Sequence, residues 1–347
     1  MIKKSLTVLS IAVAYFANAQ DVSTIRNTFD VYSNSSLNGT SKYNSMAGSM
    51  GALGGDVSVL NSNPAGIGVN IASEISGTLF IENNKNTTNY AGKSLSNKIN
   101  NTDLGNVGGV ATFQVNGASP WKFVNVAVNY SNQSIEDYSE TPANNKVGFN
   151  FDLANGGTAD LAFAGHAYNR YGNLSKMSIG VGGNYDNRIY VGAGLNFHTA
   201  VIDQYDTAAF DVIETSPIST NSFTEIFDKQ YTPFSESSTG FSATLGVIGK
   251  INPQFRVGAA LETPTWWNIA RVYTEYENPT DGSYAEDRNL SSPMKATLSA
   301  AFVPNKNFAI NVDYTLGITK AKYKVYGNAE TELNQFFSNN ASNLSEV

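Results

Sequence analysis

From about Ser73 onward, apolar residues recur at every second position, with small or polar residues between them, the period of a β-strand. Val124, Val126, Val128 and Tyr130 alternate with Phe123, Asn125, Ala127 and Asn129. Met177, Ile179, Val181 and Tyr185 oppose Ser178, Gly180, Gly182 and Asn184. After the short turn Asp186-Asn187-Arg188, Ile189, Val191, Ala193, Leu195 and Phe197 oppose Tyr190, Gly192, Gly194, Asn196 and His198. Phe241, Ala243, Leu245 and Val247 then turn through Ile251-Asn252-Pro253-Gln254 into Phe255, Val257, Ala259 and Leu261. Ala296, Leu298, Ala300 and Phe302 turn through Pro304-Asn305-Lys306-Asn307 into Phe308, Ile310, Val312 and Tyr314. The pattern predicts about nine or ten antiparallel strands, ending near Lys324. Short connections alternate with long ones over about 132–176, 201–236 and 276–293. In the first of these, Thr158 followed by Ala159 to Tyr168 predicts an N-capped short helix folded over one end of the sheet.

Residues 1–19 have the three parts of an export signal: Lys3 and Lys4, an apolar stretch from Leu6 to Ala17, and the small-residue site Ala17-Asn18-Ala19. Cleavage there would make Gln20 the first residue. No other apolar run reaches the roughly 20 residues of a spanning helix. A membrane protein built on this chain must therefore be a closed barrel, the only spanning structure besides a helix that satisfies its own backbone.

The totals allow this, with 15% charged residues and a mean hydropathy of -0.23, although a secreted soluble sandwich would show the same values. Thirty glycines, 18 tyrosines and 19 phenylalanines suit strands and aromatic girdles. The absence of cysteine excludes disulfides and cysteine metal sites. The net charge of -7, which becomes -9 when Lys3 and Lys4 leave with the signal, argues against nucleic-acid binding.

Enzyme signatures are missing. No phosphate-binding loop, zinc-protease helix or nucleophile elbow occurs, and His166 and His198 alone make no metal site. Gly180-Val181-Gly182-Gly183 loosely resembles a nucleotide-binding loop, but it lies inside a strand with no helix pattern after it, where glycine permits curvature or close backbone approach. Asp281-Gly282-Ser283 with Glu286 and Asp287 could attract a cation, but the spacing matches no calcium loop, and a solvated acidic loop is the simpler reading. Trp121, Trp266 and Trp267 suit either an interfacial girdle or a ligand path.

One segment stands apart from the strands: Ala52-Leu53-Gly54-Gly55-Asp56-Val57-Ser58-Val59-Leu60-Asn61-Ser62-Asn63-Pro64-Ala65-Gly66. Pro64 fixes its φ, Asn63 can bond nearby backbone, and the glycines permit tight turns against a wall. The segment resembles the hatch of the FadL/TodX outer-membrane transport family, with the Asn-Pro-Ala motif at Asn63, Pro64 and Ala65. Glu262-Thr263-Pro264-Thr265-Trp266-Trp267-Asn268 and Ser292-Pro293-Met294-Lys295 look like segments of Bacteroidetes-type members.

The resemblance implies an all-β, antiparallel transmembrane β-barrel of about 14 strands when complete. Its hatch would occupy residues 20–72 within the lumen and its wall residues 73–347, so that the sequence is expected to stop short of the closing strands. It further implies a bacterial outer-membrane channel for passive, facilitated uptake of hydrophobic compounds, most readily long-chain fatty acids. Gating is expected at Asn63, Pro64, Ala65 and Gly66, with lateral exit through the wall and no assigned ligand-binding residues. Neither cofactor, metal nor catalytic residue is expected. The implied partners are a hydrophobic small molecule and outer-membrane lipid, with no nucleic acid, and the chain is expected to be a monomer. A plug of about 50 residues fits a TonB-coupled receptor poorly. The alternatives are a structural or adhesive surface protein, a polar-solute porin and a haem receptor.

Overall fold

The computed structural model describes residues 27–33, 38–154, 156–228, 233–274, 283–305, 307–324, 329–340 and 345–346. The export signal lies outside them. Glu74–Tyr90 (β1) and Lys93–Gln114 (β2) form the first hairpin, followed by the long strands Trp121–Asp152 (β3), Thr158–Tyr185 (β4) and Ile189–Ser216 (β5). Ser219–Asp228 (β6) folds back on β5. Phe234–Lys250 (β7), Phe255–Glu262 (β8), Trp266–Thr274 (β9), Ser283–Ser291 (β10), Lys295–Asn305 (β11), Phe308–Gly317 (β12), Lys322–Lys324 (β13) and Ser345–Glu346 (β14) complete the strands. All fourteen belong to one curled antiparallel sheet. The expected fold class is the one found. Among the described residues β1 pairs only with β2, and β12 only with β11 and the two-residue β14.

The count exceeds nine or ten because β8 with β9, β10 with β11 and β12 with β13 are each two pieces along one line of the sheet and because β6 and β14 are added; most of the expected long loops are also strand. The stretch 132–176 is the outer part of the β3–β4 hairpin, paired from Asn132↔Ser175 up to Asp152↔Thr158. Much of 201–236 is β5, β6 and the start of β7. These outer parts mix polar residues into both faces, so their apolar alternation is weak, and backbone pairing with local clusters and ion pairs such as Arg170–Asp137 holds their register. The helix expected over Ala159 to Tyr168 is likewise strand, paired on both sides to β3 and β5. Ala159 and Leu161 are buried against Val212, and this two-sided pairing overrides the weak helix preference of alanine.

The faces are sorted opposite to those of a soluble protein. The apolar row points outward, where Val128 is 47% exposed, and the polar row points inward, where Asn129 is 0% exposed. Met177, Ile179, Val181, Leu195, Val247, Val257 and Val312 continue the exposed apolar belt around the sheet. An apolar exterior over a polar interior is what hydrocarbon demands of a spanning strand. No helix among the described residues is long and apolar enough to cross a membrane. The short turns lie at one end; at Asp186-Asn187 both residues have positive φ, 51° and 55°, a conformation that Asp and Asn tolerate better than most side chains. At the other end Ala329–Asn340 (α2) packs Leu333 and Phe337 into a buried cluster with Tyr323. Asn334 there binds both backbone groups of Tyr323.

Candidate ligand site between the plug and the wall

The hatch segment fills the concave side of the sheet. It contains a short helix, Ser41–Ser45 (α1), and 3-10 turns at Val57–Asn61 and Pro64–Val69. Met50, Val57, Val59, Leu60 and Ile67 form a buried core with Val110 and Ala127 of the wall. Asp56 organises the segment from within, accepting from Thr40 Oγ1 at 2.7 Å and from the Ser58 amide at 2.8 Å.

The structure brings Asn63, Pro64, Ala65 and Gly66 together in one buried turn against the wall. Asn63 Oδ1 accepts from the Ala65 amide at 3.1 Å, an N-cap, while its Nδ2 donates to Gly51 O at 2.7 Å and to Val247 O of β7 at 3.3 Å. The wall makes room with glycine. A Cβ at Gly246 would collide with Asn63 Oδ1, and one at Gly192 with the Pro64 carbonyl. Gly182 and Gly68 face each other backbone to backbone, so of curvature and close approach the glycine run of β4 serves close approach.

Other strands tie the plug down. Asn125 of β3 donates to Ile67 O and Asn70 O at 2.6 and 2.8 Å. Arg256 of β8 reaches Leu53 O at 2.7 Å, and Asp313 of β12 accepts from the Gly51 amide at 3.0 Å. Each of these bonds satisfies a buried polar group that would otherwise cost about 1–3 kcal/mol.

A second N-terminal piece, the π-helical turn Thr28–Ser33, is strapped across the outer half of the lumen. Its anchor is the buried pair Glu236–Arg271, with side chains 0% and 3% exposed and 2.6 Å apart. Tyr32 Oη donates to Glu236 and lies 2.7 Å from Ser238 Oγ, and Asn27 Nδ2 donates to Glu236 at 3.2 Å. Thr28 Oγ1 lies 2.6 Å from Tyr323 Oη. Burial, and then the charge of Glu236, push the Tyr32 phenol well above its usual pKa, so it remains a donor. The Arg271 guanidinium also stacks 4.0 Å over the Phe234 ring.

Below the strap and above the plug lies a cavity of about 60 Å³. Val31 and Tyr32 of the strap and Asn61 of the plug line it, as do Lys176, His198, Glu262, Trp267 and Lys295 of the wall. His198 Nε2 lies 3.1 Å from Ser242 Oγ, which donates to Glu262 Oε1 at 3.0 Å. Lys295 Nζ donates to Ser33 O of the strap at 3.4 Å. The Trp267 indole N–H and the Asn61 side-chain amide are buried without a partner. Lys176, paired across the strands with His198, makes no hydrogen bond or ion pair among the described residues. Buried polar groups without partners are costly, and here the Trp267 N–H and both polar atoms of the Asn61 amide converge on one cavity, the mark of a site for a polar ligand group.

Sequence reasoning did not find this site. Its readable signal is that Lys176 and His198 fall on the inward rows of otherwise clean alternations. Of the three tryptophans, Trp121 and Trp266 point outward and Trp267, 4% exposed, lines the cavity. His166 sits on β4 beside Asp206 at 2.5 Å. The acidic 281–287 stretch lies partly outside the described residues, and there the Glu286 carboxylate is engaged by Arg288 at 2.6 Å. Among the described residues no cluster of three or more acidic, histidine or cysteine side chains is arranged to hold a metal.

Wall and plug together define the class: an antiparallel barrel wall of the outer-membrane type, filled from within by the N-terminal segment of its own chain. Solved structures similar to the chain include the toluene transporter TodX of P. putida, at 11% identity and a TM-score of 0.47, covering 85% of this chain and 74% of that one. The toluene transporter TbuX of Ralstonia pickettii is similar at 11% identity and a TM-score of 0.45, covering 91% and 78%. A FadL homologue of Pseudomonas aeruginosa aligns over 84% of this chain and 90% of its own, at 9% identity and a TM-score of 0.20. At such identities and TM-scores the likeness assigns this chain neither a family nor a substrate. No known family profile and no curated protein matches the chain.

Proposed function

We propose that the protein is an outer-membrane channel for passive uptake of hydrophobic compounds, and that its substrates are long-chain fatty acids or similar lipophiles with an acidic head. The observation that carries this reading is the polar cavity: Lys176, the unpartnered Trp267 indole N–H and the unpartnered Asn61 Nδ2 line it, beside the Glu262 carboxylate, which accepts from Ser242. A carboxylate fits in chemistry, and a cavity of about 60 Å³ exceeds the roughly 10–15 Å³ that one water needs. A neutral aromatic hydrocarbon would leave these donors unpaired. The exposed apolar belt supports placement in a bilayer. Nothing in the fold requires an energy source.

Gating by the N-terminal hatch divides between two parts in this reading. The Asn63–Gly66 turn seats the plug, and the strap over Thr28–Ser33, which walls the cavity and closes it from the outer side, is the piece that moves.

Uptake of a labelled panel tests the function, using a long-chain fatty acid, toluene, haem and a trisaccharide in cells lacking and then regaining the gene. Selective rescue of the acid is expected. Rescue of the sugar, or of nothing while the barrel still assembles, would replace the reading with a porin or a surface-binding protein. Lys176→Met removes a charge-assisted hydrogen bond of about 1.5–3 kcal/mol, so fatty-acid affinity measured by calorimetry on the purified protein should fall about 10- to 100-fold. Unchanged affinity would take the cavity out of the mechanism. Pro64→Ala frees the φ of the seating turn and is expected to slow uptake about two- to fivefold while the barrel still folds, as read by heat-dependent gel mobility. Uptake at the wild-type rate would show that the stiffness of that turn is irrelevant.

A further inference from the structure

The cavity beneath the strap presents acceptors as well as donors. Lys176 and the Trp267 indole bring donors, while Asn61 brings an unpartnered Nδ2 and an equally unpartnered Oδ1. Glu262 adds a carboxylate, whose Oε1 accepts from Ser242 Oγ at 3.0 Å. In formal charge the lining lysines, Lys176 and Lys295, outweigh Glu262 by one, so the space suits a single negative charge.

These groups are held in place from outside the cavity. The Trp267 indole lies flat against β7 at Gly240, where a Cβ would come within 2.8 Å of the ring. Tyr32 packs edge-on to the indole at 4.9 Å and the His198 ring lies 5.3 Å away, so packing sets the direction of the N–H. Asn61 ends the 3-10 turn Val57–Asn61, and the Val59 carbonyl accepts from the two amides that follow, Ser62 at 3.0 Å and Asn63 at 2.7 Å. Glu262 is the last residue of β8, opposite Thr244 of β7 and Lys295 of β11. Polar groups fixed in this way set specificity, because a ligand that fails to meet them leaves them buried and unpaired.

A plain carboxylate meets only half of the set. It accepts from Lys176, Trp267 and Asn61 Nδ2, but it has no hydrogen for Asn61 Oδ1, and it brings a second negative charge beside Glu262. A head bearing an ammonium group would donate, yet it would add a third positive charge beside the two lysines. The head that meets every group is an anion with one neutral donor, an O–H or N–H two or three bonds from the carboxyl carbon.

We propose that the preferred ligand is an acyl chain whose head joins a carboxylate to a neutral hydrogen-bond donor, the chemistry shared by 3-hydroxy fatty acids and N-acyl amino acids. Glu262 and Asn61 Oδ1 accept from that donor, and Lys176 and Trp267 take the carboxylate. This rests on the acidic-lipophile reading above and narrows its substrate class.

Calorimetry on the purified full chain in detergent compares palmitate, 3-hydroxypalmitate, 16-hydroxypalmitate and N-myristoylglycine. A donor beside the carboxylate should tighten binding about 10- to 100-fold over palmitate. The same hydroxyl at the far end of the chain, in 16-hydroxypalmitate, should leave affinity within about twofold of palmitate. Whichever of 3-hydroxypalmitate and N-myristoylglycine binds more tightly identifies the source of the donor. Glu262→Gln keeps the shape and removes the charge, so palmitate should bind more tightly and the advantage of the hydroxy acid should shrink below about threefold. Equal affinity of the wild type for palmitate and for both donor-bearing acids overturns the proposal and leaves the fatty-acid reading standing. Wild-type protein that binds none of the four overturns both. An advantage that survives unchanged in Glu262→Gln and in Asn61→Leu also overturns the proposal, since the donor would then be met elsewhere.

Discussion

Glu236→Ala is expected to lower stability by about 3–5 kcal/mol, the cost of leaving Arg271 as an unpaired buried charge. The magnitude follows from burial on both sides of the pair, where neither group can turn to water. The change also removes the acceptor for Tyr32 and Asn27, so the strap should detach before the sheet unfolds. Tryptophan fluorescence during denaturant unfolding in detergent reads both events, because Trp267 packs edge-on to Tyr32 with ring centroids 4.9 Å apart. An early transition that quenches or shifts Trp267 alone, followed by a lowered main transition, is the expected result. A loss under about 1 kcal/mol would mean that the pair is screened by solvent and does not hold the strap. Glu236→Gln, which keeps an acceptor but not the charge, should fall between the two.

Gly246→Val should unseat the plug without preventing the wall from assembling. The new side chain would occupy the place of Asn63 Oδ1, and Asn63 is fixed by three hydrogen bonds. Overpacking typically costs about 1–3 kcal/mol, and here the atoms in the way belong to a capped turn that cannot yield by a rotamer change. Gly192→Val presses on the backbone of Pro64 and Ala65 in the same manner. Gly249→Ala is the control, since the nearest atom to its Cβ is a methyl at 3.9 Å. Limited proteolysis should cut the 38–70 stretch in the two valine variants and spare it in the control, while heat-dependent gel mobility shows an assembled barrel in all three. Protection of the plug in Gly246→Val would mean that the turn is not seated by this contact.

The two variants probe parts of the molecule that differ in how readable they were. Val124 to Tyr130 and Ile189 to Phe197 announce strands and assign their two faces, because alternation needs only that each residue side with hydrocarbon or lumen. The turn at Asn63 and Pro64 was legible for a similar reason, as its cap and its fixed φ are made within a few residues. The outer hairpin of β3 and β4 was not, because polar residues scattered on both faces blur the alternation and leave pairing and local clusters to hold the strand. Ala159 to Tyr168 went the same way, a helical composition held extended by neighbours on either side.

The candidate site was less readable still. Its parts come from the strap, the plug and several wall strands, and the bond from Asn27 to Glu236 joins residues 209 positions apart. Pro264 and Pro293 end strand pairing for want of an N–H, yet nothing local says that they fall beside one cavity. Period, turns and the hatch motif are local, enforced by the solvent or lipid that each side chain meets, and the chain alone specified them. The meeting of Lys176, Trp267 and Asn61 with a row of broken strands arises from sheet register and from the path of the N-terminal segment through the lumen, and these are fixed only when distant strands pair and the plug packs against them.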